Sequence, residues 1–117
     1  MKNTKKNPRV YLEDILSAIA KIKDYTKEGK EMFFEDEKTQ DAVIRQISII
    51  GEAAAKLPSN LKVQYPEIPW KKTIAMRNII IHDYSQTDMP TIWIVVERDL
   101  QVLQKTVEKM MKETPKF

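Results

Sequence analysis

The chain has 117 residues, of which 42% are hydrophobic and 32% charged, so we expect one globular domain over residues 1–117 and not a disordered segment. It has no cysteine and one histidine, which excludes disulfides and thiol nucleophiles and disfavours a metal centre within one chain. The formal net charge of +3 is compatible with an RNA or nucleotide partner without requiring one.

Residues 1–7 are interpreted as a basic N-terminal tail, with phosphate contact as the alternative to simple solvation. The basic side chains at this end are Lys2, Lys5, Lys6 and Arg9. No apolar segment resembles a secretory signal, and none reaches the ~18 residues needed to cross a bilayer. We therefore expect a cytoplasmic protein with no membrane partner.

The first helix is predicted to begin at Asn7 and Pro8 and to end at Gly29, because apolar residues recur there at spacings of three and four. Those residues are Leu12, Ile15, Ile19 and Ile22. Residues 29–35 are predicted to be a linker that folds back onto the core. Its apolar side chains are Met32, Phe33 and Phe34.

Three further helices are predicted, from Asp36 to Leu57, from Pro69-Trp70 to His82, and onwards from an Asp88 cap with Pro90 in its first turn. Residues 58–69 form a connector with a helical turn. The apolar face of the last helix contains Ile92, Val96, Leu100, Leu103, Val107 and Met110. The fold class is therefore all-α, an antiparallel bundle of four main helices plus a short helical connector.

The stretch IIGEAAAK within the second predicted helix presents a thin surface. Gly51 costs about 1 kcal/mol relative to alanine in a helix interior, and three alanines follow at positions 53–55. We interpret this surface as a place where a neighbouring helix packs closely. The alternative is that Glu52 projects from it towards a functional site.

The stretch RNIIIHDY, from Arg77 to Tyr84, contains the single histidine. On a regular helix Asn78 and His82 share one face, whereas Arg77 and His82 lie about 140° apart. Arg77 and His82 converge if the helix loosens, if Arg77 reaches round, or if two copies of the helix combine. A purely structural interpretation stays open, in which the histidine suits the helix C-terminus and Arg77 pairs with a carboxylate.

An arginine, four residues, a histidine, one residue and a tyrosine together resemble the signature of the HEPN superfamily (higher eukaryotes and prokaryotes nucleotide-binding domains). Three segments resemble successive blocks of its HepT-like branch: YLEDILSAIAKIKDYT, TQDAVIRQISIIGEAAAKLP and IPWKKTIAMRNIIIHDY. TIWIVVERDLQVL resembles the last helix of that branch. The resemblance covers the chain from about Val10 to Leu103.

This resemblance implies a HEPN-like helical bundle that forms a homodimer or a higher oligomer. It implies a metal-independent endoribonuclease without cofactors, acting on RNA as the toxin of a type VII-like toxin–antitoxin pair. The antitoxin partner would be a minimal nucleotidyltransferase that adds AMP to the motif tyrosine. Carried over to this sequence, Arg77 and His82 are the catalytic pair, Asn78 supports them, and Tyr84 is the site of AMP addition.

Two further residues are assigned as supporting the site. Glu52 does so if it projects from the thin surface, and Asp83 stands beside His82, where a carboxylate favours the protonated imidazole. RNA is cleaved without metal when its 2′-hydroxyl attacks the adjacent phosphorus. Histidine supplies acid or base near neutral pH, and arginine supplies fixed positive charge for the phosphate.

The single histidine favours a composite site, because a two-fold dimer brings two copies of His82 and Arg77 into one cleft. Two other interpretations remain open. One is a non-catalytic nucleotide- or partner-binding module in which Arg77 holds a phosphate. The other is a plain helical dimerisation protein with no activity that depends on His82.

Overall fold

The computed structural model describes residues 7–78 and 88–114, and these residues form an all-α fold, as the sequence predicts. The long helices are α1 (Pro8–Tyr25), α3 (Glu37–Lys56) and α7 (Leu100–Glu113). The short helices are α2 (Lys30–Glu35), α4 (Ser59–Lys62), α5 (Trp70–Ala75) and α6 (Met89–Ile94). A π-helical turn, Val95–Asp99, joins α6 to α7. Within the described ranges, no helix combines the length and the apolar character that spanning a bilayer requires.

The first two long helices begin at side-chain caps. The side-chain oxygen of Asn7 accepts a hydrogen bond from Arg9 N at 2.9 Å, and Pro8 occupies the first helical position. Asp36 Oδ1 accepts from Lys38 N at 3.3 Å at the start of α3. Both caps satisfy backbone N–H groups that have no partner inside the helix. The predicted starts of these two helices are confirmed.

Helix α1 packs against both α3 and α7, and it runs antiparallel to α7. Near the start of α1, Arg9 Nη1 donates to the carbonyl oxygens of Met111 at 2.6 Å and Thr114 at 3.2 Å, at the end of α7. Near the end of α1, Lys23 bonds to Gln104 in the middle of α7. Arg9 therefore belongs to the folded bundle, and its grouping with the solvated tail is wrong.

Helix α1 also runs antiparallel to α3, since Tyr11 near its start lies beside Lys56 at the end of α3. The apolar faces predicted for the long helices meet in one core. Buried members include Leu12, Ile15, Ile19, Ile22, Val43, Ile47, Ile50, Leu100, Leu103, Val107 and Met110. The hydrophobic periodicity thus sets which side of each helix turns inward.

Residues 29–35, predicted to be a linker, are mostly helical and form helix α2. Phe33 is buried, and its ring centroid lies 5.2 Å from that of Trp93 in α6. Met32 is exposed. The prediction that the apolar side chains of this segment pack on the core is confirmed for Phe33 and Phe34 and wrong for Met32.

The third predicted helix, residues 70–82, is not a continuous α-helix. Helix α5 ends at Ala75, and the next turn is tightened, with Arg77 N donating three residues back to Ile74 O at 3.2 Å. Asn78, by contrast, has helical backbone. The remainder of this prediction, through His82, lies outside the described residues, as do Asp83 and Tyr84.

The last predicted helix begins where expected but is interrupted. Asp88 occupies the N-cap position, and its Oδ2 accepts from the Thr91 hydroxyl at 2.7 Å instead of from a backbone N–H. The π-helical turn was not predicted. Such turns insert an extra residue into the helical register and often occur near functional sites.

Candidate functional site

Gly51 in α3 packs closely against Arg77, in the segment that follows α5. A Cβ atom added at Gly51 would stand 2.7 Å from Arg77 N, 3.0 Å from Arg77 Cβ and 3.1 Å from Ile74 O. No other residue type fits there without movement of the Arg77 backbone. The thin surface predicted from IIGEAAAK is therefore a packing surface, and what packs on it is the backbone of the arginine motif.

Glu52 follows Gly51 and contacts the same arginine. Arg77 Nη1 lies 3.5 Å from Glu52 Oε1, and the two side chains are 39% and 57% exposed. A half-exposed ion pair at this distance contributes about 0–1 kcal/mol to stability. Glu52 thus contacts the guanidinium without burying it, and the exposed part of the guanidinium is open to a phosphate group.

The structure describes three of the site residues assigned from the sequence and brings two of them into contact. Arg77 and Glu52 form the ion pair, and Asn78 is exposed directly after Arg77. The other three assigned residues, His82, Asp83 and Tyr84, lie outside the described residues. The pairing of Arg77 with a carboxylate agrees with the structural interpretation as well, and its exposure leaves the guanidinium accessible to a ligand.

A groove of about 190 Å³ lies between α1 and α3 beside this ion pair. Its lining residues are Tyr11, Asp14, Ile49, Glu52, Ala53 and Lys56. Lys56 Nζ stands 6.0 Å from the centroid of the Tyr11 ring. Sequence reasoning did not single out Tyr11 or Lys56. Helical spacing was the signal that could have found them. Tyr11 precedes Asp14 by three residues and Lys56 follows Glu52 by four, so each pair lies on one face of its helix.

A larger cavity, of about 230 Å³, lies between α5 and the start of α7, and its floor is mostly apolar. Two ion pairs neutralise the charged groups around it: Lys72 with Asp99 at 3.9 Å, and Lys109 with Glu67 at 3.8 Å. Arg77 does not line this cavity. Arg77 does not line the smaller groove either, but its ion-pair partner Glu52 does, so the groove is the nearer of the two to the guanidinium.

Comparisons with known proteins agree with the resemblance seen in the sequence. A family model described as "Ribonuclease HepT-like" matches residues 15–110. The chain is 42% identical over 109 residues to the "Probable ribonuclease HepT" of Thermococcus cleftensis, covering 92% of this chain and 99% of that protein. It is 34% identical over 110 residues to the "Putative RNase MJ0125" of Methanocaldococcus jannaschii, covering 93% and 95%.

Another relative, from Methanocaldococcus jannaschii, is longer. It is the "Gamma-glutamylcyclotransferase and putative RNase MJ0434", 42% identical over 113 residues. The match covers 96% of this chain, which spans only about half (51%) of the length of that relative. No solved structure matches the chain.

Proposed function

Because the chain belongs to the ribonuclease HepT-like family, we propose that it is an endoribonuclease that cleaves RNA without a metal ion, through Arg77 and His82. The observation that supports the proposal is the way in which neighbouring residues hold Arg77. Its backbone is seated on Gly51 and its guanidinium is half exposed beside Glu52. An arginine held in this way is prepared to bind a phosphate, because less conformational freedom is lost on binding.

The reaction uses the RNA's own 2′-hydroxyl. A base removes the hydroxyl proton, the 2′-oxygen bonds to phosphorus, and the bond to the 5′-oxygen breaks as an acid protonates that leaving oxygen. The products are a 2′,3′-cyclic phosphate and a free 5′-hydroxyl. His82 exchanges the protons, since an imidazole titrates near neutral pH. Arg77 stabilises the negative charge on the pentacoordinate phosphorane, and Asn78 supports this pair.

The site is proposed to form across a homodimer. One chain holds a single histidine, whereas this chemistry requires one group to accept a proton and one to donate a proton. A two-fold axis supplies a second His82 and a second Arg77. An active form that sediments as a monomer contradicts this part of the proposal.

The cellular role is proposed to be that of a toxin in a type VII-like toxin–antitoxin pair in the cytoplasm. The partner is a minimal nucleotidyltransferase that adds AMP to Tyr84. If Tyr84 lies in the cleft, the added group brings bulk and negative charge to the place where the RNA phosphate binds. Loss of cleavage together with the mass increase of one or more AMP groups on Tyr84 tests this role.

The first experiment is cleavage of labelled RNA in EDTA by the wild type, Arg77→Ala and His82→Ala, purified identically. Wild-type protein is prepared without the antitoxin, and its mass is checked for AMP. Arg98→Ala, which removes an exposed arginine of the π-helical turn, is the matched control. We expect cleavage by the wild type and the control only.

The other outcomes separate the alternatives. Equal cleavage by all variants points to a contaminant or another site. RNA binding that depends on Arg77, without cleavage by unmodified wild type, supports the non-catalytic binding module instead.

A further inference from the structure

We propose that the groove between α1 and α3 binds one guanine base of single-stranded RNA, next to the phosphate that Arg77 contacts. This inference rests on the ribonuclease function proposed above. The groove adjoins Arg77, because Glu52 lines the groove and its Oε1 lies 3.5 Å from Arg77 Nη1. A nucleotide whose phosphate lies on Arg77 therefore has its base within reach of the groove.

The size and walls of the groove suit a single planar ring. Its volume of about 190 Å³ lies below the ~300–1,000 Å³ typical of pockets for drug-sized ligands. Tyr11 forms part of the α1 wall and is half-buried, which limits the positions of its ring. The small side chain of Ala53 and the apolar Ile49 belong to the α3 wall. An aromatic ring beside an apolar wall is a common platform for an unpaired RNA base.

Lys56 supplies positive charge at the edge of this platform. Its ammonium lies 6.0 Å from the Tyr11 ring centroid, and its side chain is exposed. A base that stacks on the ring displaces the ammonium, which then meets the phosphate next to that base. Lys56 and Arg77 would thus contact the RNA backbone, while the groove reads the base.

Asp14 gives the groove its preference among bases. It lies one turn after Tyr11 on α1 and lines the same wall. An ionised carboxylate only accepts hydrogen bonds. The Watson–Crick edge of guanine presents two adjacent donors, N1–H and N2–H. Adenine and cytosine place an acceptor nitrogen beside their amino group, and uracil has one N–H between two carbonyls. One carboxylate therefore pairs doubly with guanine alone.

The test is a calorimetric titration of the full chain with guanosine 3′-monophosphate and, separately, with its adenosine, cytidine and uridine counterparts. We expect guanosine 3′-monophosphate to bind about tenfold more tightly than the others, as a two-bond contact to a base edge provides. Asp14→Asn should lose this preference, and Tyr11→Ala should weaken the binding of all four nucleotides, because stacking on an aromatic ring does not depend on the base. Tyr11→Phe keeps the ring, and Asp24→Asn removes an exposed carboxylate of α1 that pairs with Lys27, so both controls should keep the preference.

Equal affinity for the four nucleotides, or an unchanged preference in Asp14→Asn, overturns the subsite. The binding measurement and the cleavage assay distinguish failure of the subsite from failure of the ribonuclease function. Guanosine 3′-monophosphate binding with the expected pattern, in a protein that cleaves no RNA, contradicts the proposed activity and supports the subsite. Metal-free RNA cleavage by a protein that binds all four nucleotides equally supports the proposed activity and contradicts the subsite.

Discussion

The backbone nitrogen of Arg77 occupies the space beside Gly51 that a side chain would otherwise need. A Cβ at position 51 would lie 2.7 Å from that nitrogen, closer than real Cβ contacts come. The glycine lowers helix propensity, but Arg77 can occupy its position only because residue 51 has no side chain. Stability of α3 and placement of a proposed catalytic group are coupled at this contact.

Gly51→Ala is expected to destabilise the protein and to reduce RNA cleavage together. The alanine gains about 1 kcal/mol of helix propensity, but overpacking against a backbone costs about 1–3 kcal/mol. Urea unfolding and cleavage in EDTA measure the two effects. Ser48→Ala, one turn earlier in α3, gains propensity without adding atoms and should leave cleavage intact. A stabilised and fully active Gly51→Ala would contradict the proposed coupling.

Glu52→Gln is expected to change catalysis more than stability. The pair with Arg77 is half exposed, so its loss should cost less than ~1 kcal/mol of unfolding free energy. The guanidinium loses its orienting partner, and kcat should fall by about tenfold. KM for RNA should not rise, because a negative charge near the phosphate is removed. Steady-state kinetics separate the two constants. Glu13→Gln, which removes an exposed carboxylate of α1, is the control. A raised KM with unchanged kcat in Glu52→Gln would count against a positioning role for Glu52.

The fold was largely predictable because hydrophobic spacing and capping residues are local signals. They placed the starts of α1 and α3 and the buried faces of the long helices. Helix α2 was missed, since six residues are too few to show a helical period. The π-helical turn was missed because spacings of four from Ile92 to Val96 and from Val96 to Leu100 also fit an ordinary α-helix.

The candidate site was less predictable because it depends on contacts between elements. The thin surface at Gly51 was visible in the sequence, but the tightened turn at Arg77 was not. The groove requires Tyr11 on α1 and Lys56 on α3 to lie side by side, which neither helix specifies alone. The assigned roles of Arg77 and Glu52 stay predictions until the variants are measured.

Arg9→Ala is expected to destabilise the bundle by about 1–3 kcal/mol, because a charged donor that ties α1 to the end of α7 is lost. Arg9 Nη1 reaches two carbonyl oxygens there, those of Met111 and Thr114. Thermal and urea unfolding measure the change. Arg45→Ala removes an exposed arginine of α3 and should have little effect. Arg9→Lys keeps the charge but not the guanidinium geometry, so it should recover only part of the loss. A negligible effect of Arg9→Ala would show that this contact does not hold the two helices.

Tyr65 should make the stability of the protein sensitive to alkaline pH. Its hydroxyl donates to Glu113 Oε1 at 2.5 Å, and this bond, together with burial, raises the pKa of Tyr65 from 10.0 to about 12. The folded state thus holds the phenol proton more tightly than the unfolded state. The resulting stability is fully present below pH 10 and is lost as the pH rises towards about 12.

Tyr65→Phe should therefore cost about 1 kcal/mol at pH 8, and its deficit relative to the wild type should shrink above pH 10. Glu113 is exposed, so the variant leaves no buried carboxylate without a partner. Urea unfolding at pH 8, 9, 10 and 11 follows the difference, with Tyr25→Phe, at the end of α1, as the matched control. A deficit that stays constant to pH 11 would mean that the hydrogen bond to Glu113 does not control the ionisation of Tyr65.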